Sequence, residues 1–418
     1  MFTMQTAPPP RVLSVDILRG LTIALMIVVN DAGDGSHVWW PLGHAAWSGW
    51  TLTDLVFPTF LFLVGCSIVF SLAGRIARGA NRQQLALHIF RRSFIILLLG
   101  WCINLMPYFH LSTLRFYGVL PRIAICYLLT ALLFLRVQRP RTLALISATL
   151  LIGYWLLLRF VPVPGVGTPT HQIPLLDHDQ NLVAWLDRHI VAFVQHYFHT
   201  GHLYETVRDP EGFLSTLPAI ATTLFGLLTG LWMRRVATPN PQHLDTQPST
   251  TQLQSSAITP TQCLTGLLTS GLLSLAAGYL WSPWFPFNKK LWTSSYVLLA
   301  AGWALLALGL LYWLLDLRQA QRKSRLVAAL IWPWQVFGSN AIAAYVISES
   351  VIPYLAIIHV ATNPTTGKPL SLLRWIYLNC FAFHGSSDLT SHLFALAYTA
   401  FCFLPIWYLW HKRIFLKV

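Results

Sequence analysis

The sequence predicts an all-α fold, a polytopic integral membrane bundle of about ten and at most eleven transmembrane helices, with both termini cytoplasmic. Three observations carry this. The 418 residues are 55% hydrophobic and 10% charged, with a mean hydropathy of +0.56, whereas soluble domains carry about 25% charged residues. Apolar stretches of about 20 residues, the length that crosses a hydrocarbon core, recur along the whole chain. Lys and Arg collect on alternate connections, as the positive-inside tendency requires.

The first five spans are expected near 12–30, 52–74, 90–107, 117–135 and 142–160, and five more near 212–233, 262–281, 292–315, 329–357 and 389–410. With the N-terminus inside, nineteen of the 28 Lys and Arg fall on cytoplasmic segments and seven on outer ones, while Arg122 and Arg159 lie inside spans. The ninth span is long enough to be tilted or broken around Pro353. The stretch 370–383 is too short to cross and reads as interfacial or re-entrant. An eleventh crossing would place the terminal cluster HKRIFLK on the outer side.

Composition excludes several classes. The charge of +14 sits in short loops where it orients the chain, which argues against nucleic acid as a partner and for membrane lipids. The six cysteines lie in or beside apolar segments with no CxxC or Cys/His spacing, and His196, His199 and His202 lack a carboxylate or cysteine pattern beside them, so no metal is expected. No cleavable leader is evident after the first apolar segment. The uncharged Ser/Thr/Gln/Pro stretch 236–261 reads as a flexible cytoplasmic linker between residues 1–235 and 262–418 of one membrane domain. Loop 161–211, with the helix-like NLVAWLDRHIVAFVQHYF inside it, reads as an outer lid.

The first outer loop, VVNDAGDGSHVWWPLGHAAWSGWTLTDLVFPTFLFLVG, holds no Lys or Arg. It offers an amide at a helix end (Asn30), a histidine between small residues (His44) and a carboxylate at the mouth of the next helix (Asp54). An imidazole ordinarily titrates near 6.5, so beside a carboxylate it is suited to general-base work at neutral pH. The same residues also read as an interfacial belt of Trp39, Trp40, Trp47 and Trp50 with a structural histidine. Spacing leaves both readings open.

SVDILRG followed by NDAGDGSHVWWPLGHAAWSGWTLTDLVFPTFLFLVGCSI resembles the heparan-alpha-glucosaminide N-acetyltransferase family and its bacterial relatives. LRFYGVLPRIAICY, DPEGFLSTLPAI, FPFNKKLWTSSYV, GSNAIAAYV and the terminal HKRIF extend the resemblance nearly end to end. It implies a membrane enzyme that takes an acetyl group from cytosolic acetyl-CoA and passes it to an amino sugar on the far side. It also implies His44 as the active-site histidine, with Asn30 beside it; Asp54 is then placed to orient the imidazole, as a carboxylate does in other histidine-based sites.

A donor entering from inside needs a polar path, for which Arg19, Arg92, Asn104, Arg122 and Asn340 are candidates, Arg19 and Arg92 chiefly for the phosphates of CoA. Arg19 can instead pair with Asp16, one turn away. Trp47, Glu211 and Asn288 are candidate acceptor contacts, Glu211 also a possible helix cap. His44 serves either as a direct general base, with Asn30 on the oxyanion, or as an acetyl carrier.

With about ten residues ahead of its first span, the chain is expected to lack the animal enzyme's lumenal domain and to modify a cell-envelope glycan at a bacterial inner membrane, by N- or O-acetylation. Gly226 and Gly230 permit close packing within a protomer or in a homodimer. The rival reading is a secondary transporter of a small polar solute, which predicts broken helices with polar groups near the bilayer centre.

Overall fold

The computed structural model describes residues 12–236, 257–362 and 367–416. Most of the expected linker, 237–256, therefore lies outside the described residues. The chain is an all-α membrane bundle. In chain order come α1 (Leu13–Asn30), α2 (Leu52–Ala77), α3 (Arg82–Leu105), α4 (Val119–Arg136), α5 (Pro140–Phe160), α6 (Leu182–Phe198) and α7 (Thr216–Met233). There follow α8 (Pro260–Trp281), α9 (Ser294–Leu311, continued by a π-turn to Leu317), α10 (Ala320–Lys323), α11 (Arg325–Ser339) and α12 (Ala341–Ile357). A two-stranded antiparallel ribbon (β1 His359–Thr362, β2 Pro369–Ser371), α13 (Leu372–Ile376) and α14 (Asp388–His411) complete it.

Among the described residues nine helices are long and apolar enough to cross a membrane, and α11 with α12, meeting at 81°, makes a tenth as a broken span. The break corrects the expectation at Pro353. That proline is carried inside α12, and the chain turns at Asn340 (φ −136°, ψ 49°). The turn is stabilised from outside: Asn340 Nδ2 donates to the Ile414 carbonyl at 3.0 Å and its Oδ1 accepts from Leu416 N–H at 2.8 Å, so the C-terminal tail satisfies the polar groups of the break. Helix α3 starts eight residues before the expected 90, because Asn81 caps it through Gln83 N–H and carries it across polar residues.

Connections fall at two ends. The histidine end holds 31–51, 106–118, the segment around α6, 282–293, 358–362 and 367–387. The arginine end holds the turns 78–81, 137–139 and 318–324 and the tail after α14.

In lipid, helices associate by close contact rather than by a hydrophobic drive. Helix α2 is the centre, with Phe60, Leu61, Phe62 and Leu63 all buried, while α3, α5 and α8 turn Phe90, Phe94, Leu145 and Leu273 outward. Two glycine pairs set the closest approaches. A Cβ on Gly65 would lie 1.9 Å from the Thr223 carbonyl oxygen and one on Gly226 1.7 Å from that of Phe62, which joins α2 to α7 within one protomer. A Cβ on Gly20 would meet the Trp334 carbonyl at 1.7 Å and one on Gly338 that of Asp16 at 2.2 Å, which joins α1 to α11. Helix α1 lacks a cap of its own; Asp316, at the end of α9, accepts Leu13 N–H at 3.0 Å and Ser14 N–H at 3.1 Å, satisfying orphan donors across the bundle.

Candidate active site

Asp54 organises the histidine end. It is residue N3 of α2, in a capping box with Thr51: its Oδ2 accepts Thr51 N–H at 3.1 Å and Ala45 N–H at 3.0 Å, with the Thr51 hydroxyl oxygen 3.2 Å away. The side chain is 1% exposed, and its other oxygen, Oδ1, lies 2.8 Å from His44 Nδ1. The imidazole is 48% exposed, so Nε2 is open to an incoming molecule while Nδ1 is held. Thr51 also donates to the Gly43 carbonyl at 2.6 Å, which fixes the residue before His44. A third charged group completes the cluster, Lys289, whose Nζ is 3.1 Å from His44 Nδ1 and 3.5 Å from Asp54 Oδ1. Burial pushes the Lys289 ammonium below its ordinary range, and the carboxylates of Asp54 and Glu211 oppose that.

Asn30 ends α1 and donates through Nδ2 to Glu349 of α12 at 3.1 Å. The adjoining Asp31 carboxyl is pushed up to about 8, chiefly by burial and further by the Glu349 charge. Glu211 stands beside Asp209 on Arg115, with Nη2 at 2.6 Å from each acid; it is committed to this ion cluster and lies ahead of α7, which begins at Thr216. Arg122 is buried beneath. It donates to the Gly212 carbonyl at 3.1 Å and Ser215 Oγ at 2.5 Å and faces the Trp292 ring at 5.0 Å, while its Nε and Nη1 have no hydrogen-bond partner among the described residues.

Loop 161–211 carries α6 where the helix-like stretch was expected. Asn181 caps α6 through Ala184 N–H, and Asp187 of α6 accepts Phe213 N–H at 3.0 Å. Burial pushes Asp187 up to about 7. The fully buried Arg208 pairs with Glu205, which takes Lys290 Nζ at 2.9 Å. Arg208 also lies 4.3 Å above the Trp47 ring, and Trp47 Nε1 donates to the Leu176 carbonyl at 2.9 Å. Trp47 thus fastens loop 161–211 to the His44 loop. Asn288 is buried, its Oδ1 accepting Leu291 N–H at 2.8 Å and its Nδ2 without a hydrogen-bond partner among the described residues.

The arginine end holds a cavity of about 580 Å³ between α1, α2, α3, α4 and the α11/α12 break, lined among others by Arg19, Ser67, Ser71, Arg75, His88, Arg92, Tyr127 and Asn340. Arg19 bonds the Gly338 carbonyl through Nε (2.8 Å) and Nη2 (2.5 Å), satisfying a carbonyl in the last turn of α11, and pairs with Asp16 at 2.8 Å. Arg92 lies 4.7 Å from the Tyr127 ring centre. Asn104 stands away from this cavity: at the histidine end of α3 it donates at 2.8 Å to the Arg115 and Tyr117 carbonyls. Arg122 likewise lies at the histidine end.

The family model described as heparan-alpha-glucosaminide N-acetyltransferase, catalytic, matches residues 11–259, more than half of the chain. The chain belongs to this family. Relatives include the heparan-alpha-glucosaminide N-acetyltransferases of Homo sapiens, 29% identical over 393 residues, and Mus musculus, 28% identical over 386. The alignments cover 84% and 82% of this chain and 55% and 54% of those proteins, so the chain spans about half the length of the curated relatives it matches. The matched stretch of this heparan-alpha-glucosaminide N-acetyltransferase family member includes Asn30, His44, Asp54, Arg19 and Arg92 and stops short of Asn288, Lys289 and Asn340.

Three groups escaped the sequence reading. Thr51 had a signal, the TLTD capping pattern ahead of an apolar run. Arg75 and His88 were legible only as charges of a cytoplasmic turn. Lys289 looked like one of a few outer basic residues, and only the fold brings it from 245 positions away onto His44.

Proposed function

We propose that the chain is a transmembrane acetyltransferase that draws acetyl-CoA from the cytosol into the arginine-end cavity and delivers its acetyl group to an amino sugar or related glycan at the histidine end, on the outer side of the membrane. The observation that carries this reading is the His44–Asp54 pair, held by the capping box with Nε2 open, in a chain of this family. The excess of Lys and Arg at the opposite end supports the sidedness.

A cavity of this size suits a small-molecule ligand, and Arg19, Arg75 and Arg92 give it the donors that CoA phosphates need. Asn340 at the break lines the same cavity, where half-helix ends leave polar backbone available. At the histidine end, His44 Nε2 takes the proton of the acceptor amine or hydroxyl as that group attacks the thioester carbonyl; the C–S bond then breaks and the imidazolium returns the proton to the departing CoA sulfur, with Asp54 holding Nδ1 throughout. Asn30 Nδ2 has a second N–H for the developing oxyanion. The acetyl-histidine route uses the same Nε2 as nucleophile. Glu211, Trp47 and Asn288 border the acceptor side and shape it through the lid. The membrane is a bacterial inner membrane in this reading.

The assay is acetyl-CoA turnover by the purified full chain in nanodiscs with glucosamine as acceptor, parent against His44→Ala. Transfer lost in a folded variant that still binds acetyl-CoA supports the reading. A parent that neither binds nor consumes acetyl-CoA sinks it. The second reading, a secondary transporter, is favoured by the break at Asn340; solute uptake by proteoliposomes without acetyl transfer would establish it instead.

A further inference from the structure

Asp54 Oδ2 is filled by Ala45 N–H and Thr51 N–H, which leaves Oδ1 to His44 and Lys289. At 2.8 Å from a carboxylate oxygen, Nδ1 must carry the proton, since two lone pairs would repel at that distance. An ammonium has only donors, so the 3.1 Å approach of Lys289 Nζ to the same Nδ1 is an electrostatic contact and not a hydrogen bond. A buried carboxylate paired with imidazole alone favours the imidazolium; a cation placed against both cancels that preference.

The lysine is aimed, not loose. On one side Asn288 bonds Leu291 N–H, and on the other Lys290 is tied to Glu205 and through it to the buried Arg208. The charged groups in play are Asp54 from α2, Lys289 and Lys290 from the loop before α9, and Glu211 from the turn ahead of α7.

We propose that Lys289 is a positioning residue that keeps the His44 imidazole uncharged, with its proton on Nδ1 and the Nε2 lone pair free, by sharing Asp54 Oδ1 with it. The proposal rests on His44 acting through Nε2 in acetyl transfer. In effect the site is a triad of zero net charge, in which Asp54 orients the ring without drawing a second proton onto it.

Two readouts test it on the full chain in nanodiscs, for the parent, Lys289→Met and Lys289→Arg, with Lys289→Gln carried alongside should the methionine variant not fold. One is the pH dependence of acetyl-CoA-dependent glucosamine acetylation. The other needs no turnover: the pH dependence of His44 carbethoxylation by diethyl pyrocarbonate, a reagent for uncharged imidazole, read by peptide mass spectrometry.

Loss of the cation should move the acidic limb of the rate profile and the midpoint of His44 modification upward by about one pH unit, as expected for one neighbouring charge at a half-exposed ring. Lys289→Arg should keep both near the parent. Midpoints unmoved in Lys289→Met and Lys289→Gln, or moved equally in Lys289→Arg, would overturn the proposal. Because modification is independent of catalysis, a parent without acetyltransferase activity would sink the functional reading while the Lys289 result stays readable.

Discussion

His44 and Asp54 are ten positions apart and meet because one helix start folds back on the loop before it, whereas Arg19 and the Gly338 carbonyl, which close one wall of the arginine-end cavity, are 319 positions apart. At the first end a capping box does two jobs: it satisfies the orphan donors of α2 and it presents a carboxylate oxygen to the imidazole. At the second end no local pattern exists. Two glycines let α1 and α11 touch, the chain breaks at Asn340, and the arginine takes up a carbonyl in the last turn before the break. A paired histidine and carboxylate can be built from adjacent residues; a cavity of this size needs several helices.

That contrast is open to breakage, the largest effect first. His44→Ala should lower acetyl transfer by about 10³-fold, within the range for loss of a general base, with acetyl-CoA binding by calorimetry retained. If binding is lost as well, the two ends do not work separately. Asp54→Asn should lower kcat by about 10²-fold and also lower thermal stability, since the same side chain caps α2; a stable variant with full activity would separate capping from catalysis and end the double role.

Arg92→Ala should raise KM for acetyl-CoA about tenfold with kcat little changed, the mark of ground-state binding to phosphate. A fall in kcat alone would place Arg92 outside the donor site.

The smallest effect concerns pH. The Asp31 carboxyl is raised from an ordinary 3.8 to about 8, so the folded state binds its proton more tightly than the unfolded chain does. Its contribution to stability is complete below about pH 4 and is lost as pH rises through 8. Asp31→Asn should therefore be a few degrees more stable than the parent at pH 8.5, with no such gain near pH 4, in melting curves of the detergent-solubilised protein. An equal offset at both pH values would mean that the carboxyl does not titrate with folding.

Much of the fold was legible because lipid imposes a single rule, that about twenty apolar residues must lie together and satisfy their own backbone. The helices fall within a few residues of the expected spans except where polar residues extend α3, and the short stretch after 370 forms α13 and a π-turn, not a crossing. At the site, His44, Asp54 and Asn30 were readable as a polar cluster at helix ends. Asn104 carries no sign in the sequence of which end it serves, as an intramembrane amide does not; its carbonyl partners, Arg115 and Tyr117, belong to a turn whose shape only the folded chain reveals. Glu211 and Trp47 read as single contacts and are found within ion and ring networks that hold loop 161–211.

By itself the sequence determined that this is a helical membrane protein, where its spans lie, and which loop bears the histidine and its carboxylate, since each depends on hydropathy, capping and spacing along one stretch of chain. Tertiary structure alone decided where the ninth span breaks, which arginines share a cavity, and that Lys289 stands on His44. Those depend on close approaches between helices distant in sequence, set by glycine contacts and buried polar partners that no local pattern encodes.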